Sequence, residues 1–165
     1  VFGRPFYDIS HTVNGTLTFN DRTTINLQSP AYCGVGDYKL FNYTTLMTGS
    51  MVGIRPALNI QLPDPNMEAY VATCNDNSIY AYVYDTSQIN KNYVQTIEDG
   101  ILTIEGPTTI YLDPNLFTSA GTYALFDYRF GELVGNISDL SVSINSQLRA
   151  SSVSIYGPYL VTTLS

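Results

Sequence analysis

The amino-acid sequence predicts an all-β protein made of two tandem duplicated antiparallel β-sandwich-like units, preceded by a short N-terminal arm. Two observations predict this fold: an internal duplication, and a composition of 14 Tyr, no Trp and only 13% charged residues. Three blocks recur with one constant offset, beginning at Gly15, Thr23 and Gly36 and again at Gly100, Thr108 and Gly121. A duplication of this length indicates one structural unit used twice, and abundant Tyr and Thr favour strands.

The repeat sets the predicted domain boundaries. We predict an N-terminal arm at residues 1–10, a first β repeat at 11–85, a connector at 86–99 and a second β repeat at 100–165. Leu58-Asn59 also matches Ile144-Asn145, at an offset that is larger by a single inserted residue. Each repeat is long enough to bury a core, although a thin one.

The N-terminal arm is short, apolar and aromatic. It carries Phe2, Phe6 and Tyr7, and it has no counterpart in the sequence at residues 86–95. A free arm would expose these rings, and exposed apolar surface usually marks an interaction site. The alternative is that the arm folds back as an edge strand on its own unit.

The strands of the first repeat follow from period-two alternation and turn residues. Residues 15–19 and 23–27 alternate around Asn20-Asp21, which predicts a β-hairpin. Residues 38–43 are apolar on both faces, which predicts a central strand covered on both sides. Further strands are predicted at residues 57–62, 70–74 and 78–84, the last two pairing around Asn75-Asp76-Asn77.

The last of these strands places Tyr80, Tyr82 and Tyr84 on a single face. One interpretation is cross-strand packing on a partly wet sheet. The other is a contact surface, because tyrosine offers apolar area with a polar tip. Both interpretations stay open at the level of sequence.

The second repeat has the same strand order and no long helical period. Its strands are predicted at residues 101–104, 108–112, 123–128, 140–144, 151–155 and 159–163, with a last turn at Gly157-Pro158. It is the more compact repeat, because the loop around Pro63 has no counterpart.

Composition and charge exclude several classes of partner. The formal net charge is −7, and Lys and Arg are too few and scattered to displace counterions from nucleic acid. The same charge disfavours anionic membranes, and no apolar run approaches the length of a membrane span. We therefore expect neither nucleic-acid binding nor membrane insertion.

The sequence offers little catalytic chemistry. His11 is the single histidine, so no second imidazole is present for a metal site or a proton relay. Cys33 and Cys74 could form one disulfide within the first repeat in an oxidising compartment. The oxygen-rich segments 64–68 and 75–77 could hold Ca²⁺, but turn formation explains both. We predict no catalytic residues, no metal site, no cofactor and no enzyme activity.

The segment Gly121-Thr-Tyr-Ala-Leu-Phe-Asp-Tyr128, preceded by Leu-Thr-Ile and Thr-Thr-Ile-Tyr-Leu, resembles the β-strand repeats of autotransporter passengers and PEP-CTERM-type extracellular bacterial proteins. The first repeat matches more loosely through Gly36, Tyr38, Leu40, Phe41 and Tyr43. The resemblance implies an extracellular or particle-associated β-structure with an adhesive or scaffolding role. The chain departs from that pattern in having two units instead of a long array.

These observations favour a non-enzymatic structural protein of a larger assembly. Examples are a phage capsid decoration (cement) protein, a fibre protein or a surface filament subunit, located in a virion or at the extracellular cell surface. We expect its partners to be protein subunits, including copies of itself as a homo-oligomer. Its predicted contact residues are Phe2, Phe6, Tyr7, Tyr80, Tyr82 and Tyr84. The alternative is a secreted adhesin or carbohydrate-binding module with a glycan partner, and a hydrolase with dispersed carboxylates is the third hypothesis.

Overall fold

The computed structural model describes residues 4–28, 34–51 and 53–165. It confirms the all-β class, because 62% of the chain is strand and 4% is helix, with a β-solenoid-like stacking of about four turns. The chain divides into two compact units, Val1–Ser87 and Gln88–Ser165. No helix among the described residues is long and apolar enough to cross a membrane.

The first unit is built on a four-stranded sheet and a smaller pair of strands. Its described elements are β1 (Phe6–Thr18), β2 (Thr23–Asn26), β3 (Gly36–Met47), α1 (Ile54–Ala57), β4 (Leu58–Gln61), β5 (Met67–Cys74) and β6 (Ser78–Asp85). The sheet has the order β1-β3-β6-β5. Strands β1 and β3 are parallel, β3, β6 and β5 are antiparallel neighbours, and β2 and β4 form a parallel pair.

The second unit is built in the same way. Its elements are β7 (Ile89–Asn90), β8 (Gln95–Ile104), β9 (Thr108–Leu112), β10 (Gly121–Gly135), a 3-10 turn (Ile137–Asp139), β11 (Leu140–Ile144), β12 (Ser154–Tyr156) and β13 (Tyr159–Leu164). The main sheet has the order β12-β13-β10-β7, and β8 also pairs with β10. Strands β7 and β8 are parallel to β10, β9 is parallel to β11, and β13 is antiparallel to both β10 and β12.

The duplication in the sequence is also a duplication of the fold. The parallel pairs β1–β3 and β2–β4 correspond to β8–β10 and β9–β11, in the same directions. The antiparallel neighbours β3-β6-β5 correspond to β10-β13-β12. Each unit therefore combines pairs of parallel strands with an antiparallel hairpin. The hairpin pairs along one edge of the central strand.

The repeated Gly-x-Tyr-x-Leu-Phe-x-Tyr motif now has a structural explanation. The register of β3 with β6 is interrupted at Leu40, and that of β10 with β13 is interrupted at Leu125, which is the same position of the motif. Both leucines are buried. A bulge bends a strand and changes the direction of the side chains that follow, so the motif keeps the same bend in both central strands.

The first tyrosine of the motif fastens the loop that precedes the central strand. Tyr38 Oη donates to the carbonyl of Gly34 at 2.7 Å, and Tyr123 Oη donates to the carbonyl of Ser119 at 2.9 Å. Both tyrosines are buried, and a buried tyrosine hydroxyl normally needs such a partner. The first tyrosine of the motif therefore stabilises the fold in the same way in both repeats.

The predicted hairpin of residues 15–19 and 23–27 is wrong. Strand β1 pairs with β3, and β2 pairs with β4, both in parallel. Period-two alternation identifies a strand but not its partner, and parallel partners must be joined by a longer crossover. The antiparallel expectation holds for β3-β6-β5 and for β10-β13-β12.

Of the two alternatives for the N-terminal segment, the free arm is wrong where the structure describes the segment, because β1 begins at Phe6 and Tyr7 pairs with Tyr38 of β3. The edge-strand alternative is the observed one. A counterpart does exist in the second unit, where Asn90 of β7 pairs with Tyr123. The separation of Tyr7 and Asn90 along the chain is slightly shorter than the constant offset between the repeated blocks. The match is therefore not visible when the two repeats are aligned at that offset. Consequently the predicted connector 86–99 contains β7 and the start of β8.

The expected match of Leu58 with Ile144 is also wrong. Leu58 pairs with Thr23 of β2, whereas Leu140 pairs with Thr108 of β9, so Leu140 is the counterpart of Leu58. The other predicted strands are present, with shifted ends. Each unit has its own buried core, formed around Tyr38 and Ile79 in the first and around Tyr123 and Leu160 in the second.

Candidate functional site

The outer face of the four-stranded sheet in the first unit is the strongest candidate for a functional surface. Along β6, Ile79, Ala81 and Val83 are buried in the core, so the residues between them point the other way. The aromatic residues of that outer face are Phe6, Tyr70, Tyr80, Tyr82 and Tyr84, which we call the tyrosine face. The placement of Tyr80, Tyr82 and Tyr84 on one face is as the sequence predicts.

The rings of the tyrosine face form a continuous series across the sheet. The Tyr80 and Tyr82 rings are stacked with centroids 6.1 Å apart, and those of Tyr70 and Tyr84 are stacked at 6.0 Å. Tyr70 also lies 5.3 Å from Tyr82, and Phe6 lies 6.1 Å from Tyr80. These separations are within the range of favourable aromatic pairs, so the face is a single packed surface from β1 to β5.

Arg4 anchors one end of the tyrosine face. Its guanidinium carbon lies 3.8 Å from the Tyr84 ring centroid, a cation–π distance. Its Nε donates to Asp37 Oδ1 at 2.6 Å, and its Nη2 donates to the carbonyls of Gly36 and Val83. These contacts join β3 and β6 to the segment that precedes β1.

Two further cations border the tyrosine face. Arg55 of α1 lies 5.0 Å from the Tyr70 ring centroid, and its Nε donates to the carbonyl of Val71 at 3.2 Å. Lys39 Nζ lies 3.4 Å from Asp76 Oδ2. Hydrogen bonds from Tyr80, Ser78 and Lys39 outweigh the opposing effect of burial and lower the pKa of Asp76, so this carboxylate stays ionised.

The hydroxyl groups of Tyr80 and Tyr82 contact neighbouring side chains. Tyr80 Oη donates to Asp76 Oδ2 at 3.0 Å, and Tyr82 Oη lies 3.3 Å from Cys74 Sγ. Burial, followed by the hydrogen bond to Asp76, raises the pKa of Tyr80 to about 12. Burial, followed by the contact with Cys74, raises the pKa of Tyr82 as well. Both side chains are therefore neutral phenols at physiological pH and are poorly suited to act as nucleophiles or bases.

The second unit serves as an internal comparison for this face. Tyr80 pairs with Lys39 and Tyr82 with Asp37, while the corresponding positions of β10 pair with Val161 and Thr163. The same sheet is thus built in the second unit with valine and threonine in place of the two tyrosines. The strand pairing itself therefore does not require tyrosine at these two positions, although Val161 is buried in a small cluster with Ala124 and Tyr159.

Of the other predicted contact residues, Phe6 and Tyr7 lie on opposite faces of the sheet. Phe6 belongs to the tyrosine face and is 57% exposed. Tyr7 points to the opposite, core side, where its ring stacks on Tyr38 at 4.8 Å, so its assignment to a contact surface is wrong. Phe2 lies outside the described residues. Sequence reasoning also missed Tyr70, although pairing residues 70–74 with 78–84 would have placed it opposite Tyr82.

The other residues considered in the sequence are His11, the two cysteines and the acidic turn at Asp64. His11 is exposed in β1 and lies 6.4 Å from the Phe41 ring. Cys74 has a free thiol among the described residues, and its predicted disulfide partner Cys33 lies outside them, so the disulfide stays a prediction. The Asp64 carboxylate accepts from the Asn66 N–H at 2.9 Å, as a turn requires.

A metal site would need several acidic, histidine or cysteine side chains close together. Within residues 4–28, 34–51 and 53–165, no group of three or more His, Cys, Asp or Glu side chains could hold a metal ion. The structure gives no ligand set from which a metal or a cofactor could be inferred.

A groove of about 460 Å³ lies beside β9 and β10 in the second unit. Its rim includes Tyr93, Tyr111 and Leu116, which are 39%, 80% and 46% exposed. Asn92, Gln95 and Asp113 also line it. Aromatic rings beside amide and carboxylate groups are suited to polar ligands with an apolar face.

Comparison with known proteins adds no family to these observations. No family model, no curated protein and no solved structure matches the chain.

Proposed function

We propose that this chain is a non-enzymatic structural protein that assembles with protein subunits, and with copies of itself in particular, through the tyrosine face. The observation that carries the proposal is the comparison of the two units. The first unit places a packed series of aromatic rings on a sheet face where the second unit folds with Val161 and Thr163. Since the strand pairing does not require these rings, we infer that they serve a contact outside the fold.

The chemistry of the face supports a protein partner. Tyrosine, phenylalanine and arginine are enriched at the centre of protein interfaces, where they contribute most of the binding energy. The rings are already packed against one another, and Arg4 is held by Asp37. Binding would therefore cost little side-chain entropy, because these groups are ordered before the partner arrives.

The distribution of charge supports a second copy of the same chain as the partner. Three cations lie on or beside the face (Arg4, Lys39, Arg55), against four carboxylates (Asp8, Asp37, Glu68, Asp76). The face then has a formal charge of −1, which leaves −6 for the rest of the chain. Two acidic molecules that meet at their nearly neutral faces repel each other least.

The absence of enzyme activity is part of the proposal. It is supported by the single histidine, which lies beside Phe41, and by the raised pKa values of Tyr80 and Tyr82. We expect the chain to act as a capsid decoration protein, a fibre protein or a surface filament subunit, in a virion or at the cell surface.

The test is the native mass in solution, measured by size-exclusion chromatography with light scattering over a wide concentration range. The chain should form oligomers whose mass rises with concentration. The double substitution Tyr80→Val and Tyr82→Thr, which installs the residues of the second unit, should weaken association at least tenfold while the circular dichroism stays that of a β protein. A chain that is monomeric at every concentration, or a variant that associates as strongly, would overturn the proposal.

The groove of the second unit favours the alternative of glycan binding. Exposed Tyr93 and Tyr111 could stack on sugar rings while Asn92, Gln95 and Asp113 accept or donate hydrogen bonds. Saturation-transfer NMR with a panel of neutral oligosaccharides would detect this binding. Loss of the signal in Tyr111→Ala, but not in Tyr80→Val, would assign it to the groove.

A further inference from the structure

Strand β1 is a long edge strand with an open side. It runs over 13 residues and, among the described strands, pairs only with β3. Most of its residues are half-buried or exposed, and its charged or titratable side chains include Asp8 and His11. Natural sheets usually protect such an edge with lysine, proline, a β-bulge or a short strand, because it is a template for another strand. Strand β1 has two register shifts but no lysine or proline.

The opposite edge of the same sheet is protected. Helix α1 packs beside β5, and the Nε of Arg55 donates to the carbonyl of Val71 in that strand. The sheet is thus closed along β5 and open along β1.

The duplicated unit shows what a protected version of this edge looks like. The counterpart of β1 is divided into β7 and β8, separated by residues 91–94. In β8, Glu98 and Asp99 place two charges side by side, and Asp99 has a positive φ of 50° that interrupts extended backbone. The first unit has one strand of 13 residues at this edge, although two register shifts interrupt its pairing, where the second unit has separate strands of 2 and 10 residues.

The aromatic surface reaches this open edge. Phe6 lies on β1 itself, is 57% exposed, and contacts Tyr80 of the tyrosine face. A strand added to β1 would therefore extend the tyrosine face as well as the sheet.

We propose that a second copy of the chain pairs its β1 with this β1 in an antiparallel arrangement about a twofold axis; this inference rests on the proposed function. Two register shifts divide β1, and the regular stretch His11–Val13 lies between them. A symmetric pair centred there places Thr12 opposite Thr12 of the other copy. The product is an eight-stranded sheet with both tyrosine faces on the same side, because an axis perpendicular to the sheet preserves its faces.

Two different twofold contacts on one chain give a closed assembly, such as a tetramer, when their axes intersect at a right angle, and an open polymer when the axes do not meet. A single isologous interface closes on itself as a dimer. When both the β1 edge and the tyrosine face are isologous, each copy has two partners, and the assembly is a closed tetramer or an open polymer. The open form is the one that suits a filament or fibre subunit.

The variants follow from this geometry. Thr12→Lys places like charges directly opposite each other across the twofold axis, which disfavours pairing. The matched control is Thr96→Lys, which adds the same charge to an exposed position of β8. Light scattering should give a dimer for Thr12→Lys, a dimer for Tyr80→Val with Tyr82→Thr, a monomer for the combination, and the parental tetramer or polymer for Thr96→Lys.

Hydrogen–deuterium exchange of the unaltered protein gives an independent readout. Amides of residues 6–18 should exchange at least tenfold more slowly at high than at low concentration, while those of 95–104 should not change. If the Thr12→Lys chain assembles to the same mass as the parent, or if exchange in 6–18 is independent of concentration, the edge inference is overturned. If the tyrosine variant alone keeps the parental mass, the proposed face fails instead.

Discussion

At the scale of single residues, Gly49 and Gly135 show how closely the two repeats share their backbone requirements. Both glycines have a positive φ, 67° and 109°, and both lie against the carbonyl of the residue that ends the neighbouring segment, Phe19 or Ile104. Those two residues occupy the same position of the repeated block. A side chain at either glycine would collide with backbone that cannot move aside.

Replacing either glycine by alanine should therefore destabilise its unit. We expect Gly49→Ala and Gly135→Ala each to reduce the free energy of unfolding by about 2 kcal/mol or more, from backbone strain and steric overlap. Urea denaturation followed by circular dichroism measures the loss. Gly34→Ala is the control, because nothing lies within 4 Å of its added Cβ, and a loss as large there would contradict the argument.

The phenol groups of the tyrosine face should be visible in a spectrophotometric titration. The pKa of Tyr80 is raised to about 12 and that of Tyr82 is also raised, above the ordinary value of about 10. A raised folded-state pKa gives stability that is fully present below about pH 10 and is lost as the pH rises toward 12. The parent should show tyrosines that ionise late, and Tyr80→Phe should remove one of them. An unchanged curve in Tyr80→Phe would refute the assignment.

At the scale of elements, β1 separates two neighbouring aromatic residues by function. Tyr7 stacks on Tyr38 within the core, whereas Phe6 lies on the outer face and is 57% exposed. Alternation along a strand, and not the chemical nature of the ring, decides which residue stabilises the fold.

Alanine substitutions at these adjacent positions should thus differ in kind. Tyr7→Ala should lower the free energy of unfolding by about 2 to 4 kcal/mol through lost core packing. Phe6→Ala should lower it by less than about 1 kcal/mol, as surface substitutions usually do, while weakening self-association. Thermal unfolding and light scattering on the same two samples test both expectations, and equal stabilities would show that β1 is not docked as described.

At the scale of the whole molecule, each unit completes its own sheets and its own core. We expect a fragment of residues 88–165 to fold alone, with β-type circular dichroism and a cooperative thermal transition. The full chain should then show two transitions when one unit is selectively destabilised by Gly49→Ala or Gly135→Ala. A fragment without a cooperative transition would mean that the units are not independent.

The sequence alone determined the all-β class, the duplication and the existence of most strands. These features are local, because alternation, turn residues and a fixed spacing between repeated blocks are visible in the chain itself. Even the three tyrosines of β6 could be assigned to one face, since side chains alternate along any strand.

Only the tertiary structure decided which strands are partners and which aromatic residues form the surface. Parallel pairing of β1 with β3 and β2 with β4 joins segments far apart in sequence, and nothing local encodes the direction of such a pair. For the same reason the sequence could not place Arg4 over Tyr84 or turn Tyr7 into the core. The tyrosine face and the open edge of β1 both depend on these long-range pairings. The pairings decide which side chains share a face and which strand lies at the edge of the sheet.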